Sequence, residues 1–136
     1  MSYYIFNTNA KTNERFTDEM LSEQKASCYT GSWRGRISRL CKDDIVFLYK
    51  NGTGIVAYGI ADGERKMKDC DNKKDEEYYM HLNSFEVLHP PMSLTKMREL
   101  SNKWLVFRSM LFSVDEETGE RFIKEIEENH LSGKHN

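Results

Sequence analysis

Two unbroken apolar runs dominate the hydrophobic pattern of this chain. They cover residues 45–49 and 55–60 and are separated by a segment that contains Asn51, Gly52 and Gly54. Two such runs joined by a glycine-rich turn predict a β-hairpin. Because both runs are continuously apolar rather than alternating, we expect both faces of these strands to be covered, as in a small barrel with helices outside it.

Two further strands are predicted. Residues 3–7 combine aromatic and β-branched side chains and lead into the polar turn Asn7-Thr8-Asn9. Residues 78–88 fit one long strand that closes at Pro90-Pro91. Between the hairpin and this long strand, residues 62–77 are so rich in charge that we expect an exposed loop. Residues 29–36, rich in glycine and polar side chains, are also interpreted as a structured loop.

Three helices are predicted from their capping residues. Thr17, followed by two acidic residues, is expected to cap a helix that ends near Ser27, and Ser93 is expected to cap a short helix over residues 94–100. Ser113 with Glu116 three residues later matches a capping box for a terminal helix. The apolar face of that helix would comprise Phe122, Ile123 and Ile126, with Gly119 weakening its start.

The length of 136 residues fits one domain over 1–136, with a flexible tail from about residue 130. No apolar run approaches the roughly 20 residues of a membrane span, and the first residues lack the pattern of a signal peptide. We therefore expect a cytoplasmic protein. Its three cysteines show no C-x-x-C spacing and its four histidines no metal-ligand spacing, so no cofactor and no metal site are predicted.

The distribution of charge is uneven although the net charge is only −2. Residues 31–50 have a net charge of +3, whereas residues 115–128 have a net charge of −5. Any phosphate contact must therefore use a local basic surface, and the acidic terminal helix is expected to face away from it.

The hairpin residues 42–51 and 54–61 resemble the hairpin of EVE domains, a PUA-like family related to YTH and ASCH domains. Residues 3–7, the Trp-Arg-Gly-Arg stretch at 33–36 and residues 91–100 resemble, in the same order, that family's opening strand, loop and helix entry. Residues 108–122 resemble its ending. The resemblance spans nearly the whole chain. The departures are Asp43 in place of a glycine, the form of the 33–36 stretch, and the charged residues 62–77.

This resemblance implies an α+β fold, a PUA-like twisted small β-barrel of about five to six strands with flanking short helices. It also implies one pocket that holds a flipped or modified base. Stacking of a base on aromatic rings contributes about 1–3 kcal/mol, and rings favour a methylated or partly cationic base.

The candidate base-binding residues combine aromatic rings for stacking with amides and hydroxyls for the edge of a base. They are Trp33, Tyr49, Asn7, Asn9, Ser32, Asn51 and Ser109. The candidate phosphate-binding residues are Arg34, Arg36, Lys50 and Arg108.

Each of these assignments has a purely structural alternative. Trp33 could anchor its loop, Tyr49 could pack at a strand end, and Asn7 could serve the turn. Arg108 could extend its charge to solvent along apolar surface. Trp104, flanked by apolar residues, is assigned to the core.

The expected function is a non-enzymatic nucleic-acid-binding module for DNA or RNA, with a methylated base among the candidates. One alternative is an ASCH-like ribonuclease, for which a cation and a carboxylate such as Lys42 and Asp43 could suffice. The other is a module that binds a small ligand or a protein partner in phage defence or restriction. Binding that weakens as salt rises would favour the first.

Overall fold

The computed structural model describes residues 1–8, 14–29, 31–70, 73–103, 105 and 110–131, with backbone alone at 14, 31–34, 69–70 and 73–76. Its elements are, in chain order, β1 (Tyr3–Asn7), α1 (Glu14–Glu23), β2 (Lys25–Cys28), a 3-10 helix (Gly31–Arg39), β3 (Ile45–Lys50), β4 (Gly54–Ala61), β5 (Lys66–Cys70), β6 (Lys73–Met92), α2 (Leu94–Ser101), β7 (Leu111–Val114) and α3 (Glu116–Asn129).

The sheet has the order β2-β6-β4-β3-β1-β7, and β5 pairs with β6. The expected α+β class with short flanking helices is confirmed. The described residues contain seven strands, more than the five or six expected, because β2 and β5 formed where a helix end and a loop were predicted. No helix in the described ranges is long and apolar enough to cross a membrane.

Strand β1 lies inside the sheet, parallel to β3 on one side and antiparallel to β7 on the other. The parallel register pairs Tyr3 with Ile45 and Asn7 with Tyr49. Parallel neighbours need a crossover connection, and α1, β2 and the 3-10 helix supply it. The carboxyl ends of β1 and β3 consequently meet at one edge.

The hairpin of β3 and β4 is confirmed. At Gly59 the pairing of β4 with β6 shifts register, between Tyr58 and Ile60. Gly54 is required at the other end of β4. Its φ is +122°, and a Cβ there would lie 1.9 Å from the carbonyl oxygen of Met92. Only glycine lets the β6 backbone approach this closely.

The prediction of a loop over residues 62–77 is wrong. Strand β5 pairs antiparallel with β6, with Lys66 opposite Tyr79 and Met67 opposite Tyr78. Among the described strands, β5 pairs with β6 alone and is therefore an edge strand. Charged side chains are common on edge strands, so charge density was a poor guide to a loop. Strand β6 also continues past Pro90 to Met92, which pairs with Ile55.

Two of the predicted helix starts are wrong. Helix α1 begins at Glu14 and ends at Glu23, since the hydroxyl of Thr17 is used in a tertiary contact instead of a cap. The N-cap position of α3 is Asp115, while Ser113 belongs to β7. The cap at Ser93 is confirmed: its Oγ accepts a hydrogen bond from the backbone N–H of Lys96 at 3.1 Å.

The segment predicted as a loop at residues 29–36 enters the 3-10 helix at Gly31. Ile37 and Leu40 are 0% and 3% exposed. Their spacing of three residues matches the three residues per turn of a 3-10 helix, so both side chains face the core together.

The core consists of two apolar clusters, one on each face of the sheet, which confirms the expected coverage of β3 on both sides. Val46 and Leu48 belong to one cluster. Phe47 belongs to the other, where its ring stacks 6.4 Å from Tyr3 and meets Phe122 edge-on at 5.4 Å.

His130, placed by the sequence in a flexible tail, is instead 7% exposed. Its Nδ1 lies 2.6 Å from the carbonyl oxygen of Pro90 and its Nε2 lies 2.8 Å from the carboxylate of Glu125. The backbone N–H of His89 also donates to the carbonyl of His130 at 2.7 Å. These contacts fasten the end of α3 to β6.

Gly119 gives a direct test of how α3 packs. A Cβ at this position would lie 2.2 Å from Cγ of Tyr3, so the helix approaches β1 through the space that the missing side chain leaves. We expect Gly119→Ala to destabilise the fold by about 1–3 kcal/mol through overpacking, although alanine is the better helix former by about 1 kcal/mol. Chemical denaturation measures the difference.

Gly35→Ala is the matched control, because a Cβ at Gly35 would meet nothing within 4 Å. Its stability should equal or exceed that of the unchanged protein. A Gly119→Ala variant as stable as the Gly35→Ala variant would contradict this packing.

Candidate functional site

Several candidate residues meet at the edge where β1 and β3 end. Asn7 is the register partner of Tyr49, and Lys50 and Asn51 follow directly in the chain. The backbone N–H of Asn7 donates to the carbonyl of Met110 at 2.7 Å. The structure thus brings Asn7, Tyr49, Lys50 and Asn51 to one edge of the sheet, beside Met110.

Thr8, in the polar turn predicted after β1, fixes the chain at this edge. It is 0% exposed, and its backbone N–H donates to the carbonyl of Tyr49 at 2.9 Å. Its hydroxyl lies 2.6 Å from that of Thr17. The end of β1 is therefore tied both to β3 and to α1. A tertiary bond between two hydroxyl groups leaves no periodic signal in a sequence.

Tyr49 is 4% exposed and belongs to the core cluster that also contains Phe47, Ile55 and Met97. Burial raises the pKa of its phenol, and the nearby charge of Arg98 offsets part of that rise. Almost all of the ring surface is already covered by protein. Stacking of Tyr49 on a base stays a prediction that would require this surface to be uncovered.

Asn51 is half-buried in the turn after β3. Its side-chain oxygen is buried and accepts no hydrogen bond within the described part of the chain. A buried acceptor without a partner costs about 1–3 kcal/mol. An N–H group on the edge of a base would satisfy it, because asparagine pairs with bases through its adjacent acceptor and donor.

The residue pair Cys28 and Met110 connects the start of the 3-10 helix with the same edge. The thiol of Cys28, which precedes this helix, lies 3.1 Å from the sulfur of Met110. The backbone carbonyl of Met110 in turn accepts the hydrogen bond from Asn7. Burial raises the pKa of Cys28 to about 12, with Arg36 opposing the rise. Arg36 is half-buried, and its effect on the pKa of Cys28 indicates that its charge lies near the end of β2.

The remaining candidate residues fall into two groups, those described by their backbone alone and those outside the described residues. Ser32, Trp33 and Arg34 lie in the first half of the 3-10 helix, and their side chains are outside the described set. Asn9, Arg108 and Ser109 lie wholly outside the described residues, and so does Trp104. Their predicted roles stay predictions.

Lys42 and Asp43, the pair considered for hydrolysis, are both exposed at the entry to β3. The carboxylate with a defined role in this stretch is that of Asp44, which is 4% exposed. It accepts hydrogen bonds from the backbone N–H groups of Ser2 at 2.9 Å and Cys41 at 2.8 Å. Asp44 therefore serves to hold the start of β1 beside β3.

A buried charged network, which the sequence analysis missed, connects α1, β2 and β6. Lys25 is 0% exposed, and its Nζ lies 2.6 Å from Glu77, 3.1 Å from Glu23 and 3.2 Å from Glu19. The hydroxyl of Ser27 donates to the same oxygen of Glu77 at 2.6 Å. Burial alone would lower the pKa of Lys25, but the hydrogen bonds that its ammonium donates to Glu77 and Glu23 outweigh burial and raise that pKa.

Aromatic rings flank this network. The Nζ of Lys25 lies 4.8 Å from the ring centroid of Tyr79 and 5.7 Å from that of Tyr29. Phe16 from α1 stacks on Tyr29 at 4.2 Å. Cation–π contacts of this kind add about 0.5–2 kcal/mol when water is excluded. The site therefore combines an ammonium group, a carboxylate and a hydroxyl within an aromatic surround.

Sequence reasoning missed this network for a definable reason. Lys25 and Glu77 are separated by 52 positions. The local sequence predicts the end of a helix at Lys25 and a loop at Glu77. Only correct pairing of β2 with β6 brings them together. Among the described residues, no group of three or more His, Cys, Asp or Glu side chains is arranged to hold a metal ion.

We expect Lys25→Met to destabilise the protein by about 3–5 kcal/mol, because it removes the buried cation that lies 2.6 Å from the buried carboxylate of Glu77. Lys68, which remains, is partly exposed and lies farther from Glu77, at 3.8 Å. Lys68→Met is the matched control. The side chain of Lys68 is 43% exposed, and its Nζ lies 3.6–4.0 Å from the same three glutamates. Loss of this ammonium group should therefore cost no more than about 1 kcal/mol of stability. Urea denaturation compares the two.

The pH dependence of this difference follows from the raised pKa of Lys25. A raised pKa contributes stability that is present below the unfolded-state value and is lost as pH rises beyond it. The cost of Lys25→Met should therefore stay constant between about pH 6 and 9. Equal stabilities of the Lys25→Met and Lys68→Met variants would show that the buried charge is not important to the fold.

The sequence matches no protein-family model and no curated protein. Solved structures nevertheless share the fold. A hypothetical protein from Leishmania major has a TM-score of 0.66 at 11% identity, covering 94% of this chain and 96% of that one. The ASCH protein from Zymomonas mobilis has a TM-score of 0.63 at 9% identity, covering 90% and 94%.

The YTH domain of Mmi1, solved in complex with RNA, has a TM-score of 0.60 at 11% identity, covering 92% of this chain and 77% of that one. Likeness at such low identity concerns the backbone and its topology. This chain has the PUA-like α+β fold of ASCH and YTH domains.

Proposed function

We propose that this protein binds a nucleic acid and holds one base at the edge where β1 and β3 end. The observation that carries the proposal is Asn51, whose buried side-chain oxygen accepts no hydrogen bond within the described residues. Asn7 ends the neighbouring strand at this edge. Two amide side chains at one edge supply both donors and acceptors, which is what the edge of a base requires.

Trp33 is the proposed stacking residue. It lies in the first half of the 3-10 helix, and that helix begins three residues after Cys28. Since Cys28 and Asn7 both contact Met110, the start of the helix and the end of β1 belong to the same part of the molecule. A ring carried there could cover one face of a base whose edge faces Asn7 and Asn51.

Asn9, Ser32 and Ser109 complete the proposed polar lining, and Tyr49 supports it from the core. Arg34, Arg36, Lys50 and Arg108 are the proposed phosphate contacts. The finer assignment, an EVE-like pocket for a methylated base, rests on the resemblance of the hairpin. Single-stranded RNA is the first substrate to test, because the YTH domain with the same fold was solved with RNA; DNA of the same sequence is the comparison.

We expect Trp33→Ala to weaken binding of a single-stranded oligonucleotide by about tenfold, the value of one lost base-stacking contact of 1–3 kcal/mol. Trp33→Phe should retain most of the affinity because it keeps an aromatic face. Fluorescence anisotropy with methylated and unmodified oligonucleotides measures both effects. Unchanged binding by Trp33→Ala would refute the assignment of Trp33, and absence of binding by the unchanged protein would refute the function.

A second candidate function, hydrolysis of a nucleic acid, is favoured by the network of Lys25, Ser27 and Glu77. The Ser27 hydroxyl and the Lys25 ammonium meet one oxygen of Glu77, each at 2.6 Å. A carboxylate in this position can accept a proton from a hydroxyl, and an adjacent ammonium can stabilise a developing negative charge. The weakness of this candidate is access, since all three residues are at most 1% exposed.

Hydrolysis is tested by incubating labelled RNA with the protein and with its Ser27→Ala and Glu77→Gln variants. If the network is catalytic, the unchanged protein cleaves RNA and each variant loses at least about a hundredfold in rate, the usual contribution of general acid–base catalysis. Cleavage that survives in both folded variants would assign the network a structural role alone.

A further inference from the structure

Arg65, between β4 and β5, is exposed yet held in a defined orientation. Its Nη1 donates to the hydroxyl of Ser38 at 3.3 Å, and its guanidinium carbon lies 5.1 Å from the ring centroid of Tyr78. A guanidinium group carries five N–H donors in a fixed plane. The bond to Ser38 uses one of them. The contacts to Ser38 and Tyr78 therefore orient a group whose other donors face away from that bond.

Two further cations lie on the same surface. Arg39 follows Ser38 in the 3-10 helix, and Lys42 lies under the connection from β4 to β5: a Cβ at Gly63 would come within 2.8 Å of Lys42 Cβ. Arg39 and Lys42 are both exposed. Arg39 and Lys42 thus belong to one segment, residues 38–42, which lies against the connection that carries Arg65.

These cations differ from others of the chain in their partners. Lys25, Lys68, Lys96 and Arg121 each form an ion pair with a glutamate. Across the described ranges no such pair involves Arg39, Lys42 or Arg65. Their charge is therefore available to an anion from outside the chain.

The same segments also carry acidic groups, which limit how this surface can work. Asp43 and Glu64 are exposed, and Asp62 accepts a hydrogen bond from the backbone N–H of Glu64 at 2.8 Å. Arg36 and Lys66 add two more cations nearby. The small excess of positive charge predicts no broad attraction, so an anion would be recognised by the planar donor set of Arg65.

We propose that Arg65, oriented by Ser38 and Tyr78, forms with Arg39 and Lys42 a binding surface for backbone phosphates of a nucleic acid. This inference rests on the proposed function. Trp33 and Ser38 occupy the same 3-10 helix five positions apart, which corresponds to about 10 Å along its axis. A strand with one base at Trp33 would pass over Arg39 and Arg65 along the helix.

The test measures binding of single-stranded RNAs of about 12 nucleotides, within the usual site size for such proteins, at salt concentrations from about 50 to 200 mM. Arg65→Ala should weaken binding about tenfold for every sequence tried. It should also reduce the slope of log affinity against log salt by about 0.7, the value for one lost phosphate contact on a single strand. The affinity of Arg65→Lys should lie between those of the unchanged protein and Arg65→Ala, because lysine keeps the charge without the planar donors.

Lys124→Ser is the matched control, because it removes one exposed positive charge from α3 and should leave affinity and slope unchanged. Arg39→Ala is a second variant. Because the side chain of Arg39 is exposed, its removal should not disturb folding, and it should lower the slope of log affinity against log salt in the same way. Thermal unfolding of each variant separates loss of binding from loss of fold.

Three outcomes would overturn the proposal. If Arg65→Ala and Arg39→Ala bind with unchanged affinity and slope while Trp33→Ala loses binding, the base site stands and the phosphate surface does not. If Arg65→Ala weakens binding of one sequence only, Arg65 contacts a base. If the unchanged protein binds no oligonucleotide, the phosphate surface and the proposed function fail together.

Discussion

The parallel pairing of β1 with β3 is the constraint on which the rest of the structure depends. It requires a crossover connection, and that connection contains α1, β2 and the 3-10 helix. It also places the carboxyl ends of both strands at one edge, with Asn7 beside Tyr49. Asp44 at one end of the pair and Thr8 at the other tie the two strands together by hydrogen bonds.

The crossover is held in place by a charge that cannot be left unpaired. Lys25 at the start of β2 is fully buried, and two of its three glutamate partners come from α1 and the third from β6. Removing water from these charges is costly, and the hydrogen bonds among them offset that cost. Because the ammonium group of Lys25 on β2 binds carboxylates of α1 and β6, the relative positions of these three elements are coupled. The point at which the 3-10 helix begins depends on the same coupling.

Local patterns predicted much of this fold. The apolar runs on either side of the glycine-rich turn, the alternation at Tyr3–Asn7 and the cap at Ser93 each depend on neighbouring residues, and each corresponds to an element of the structure. The failures have two causes. Thr17 and Ser113 carry ordinary local signals, but tertiary partners decide their state: Thr8 for Thr17 and β1 for Ser113. Strand β5 pairs with the next strand, β6, and its high density of charge concealed that hairpin.

The candidate site divides in the same way. Asn7 and Asn51 could be nominated from sequence because asparagines at strand ends are visible there. The burial of Tyr49 and the buried side-chain oxygen of Asn51, unpaired within the described residues, could not be predicted from the sequence. Both depend on how β3, α2 and the second core cluster pack. Arg65 lay in a segment assigned to a loop, and its orientation depends on Ser38 and Tyr78. Tyr78 approaches it through the pairing of β5 with β6, and Ser38 approaches it from the 3-10 helix.

The proposed binding of a nucleic acid at the edge shared by β1 and β3 can be measured by NMR, by following the backbone amide signals while a short single-stranded RNA is added. Shifts that concentrate at Asn7, Thr8, Lys50, Asn51 and the 3-10 helix, with the amides of α3 unaffected, are the result expected from binding at this edge. Shifts confined to α2 and α3, or no shifts at saturating RNA, would contradict it.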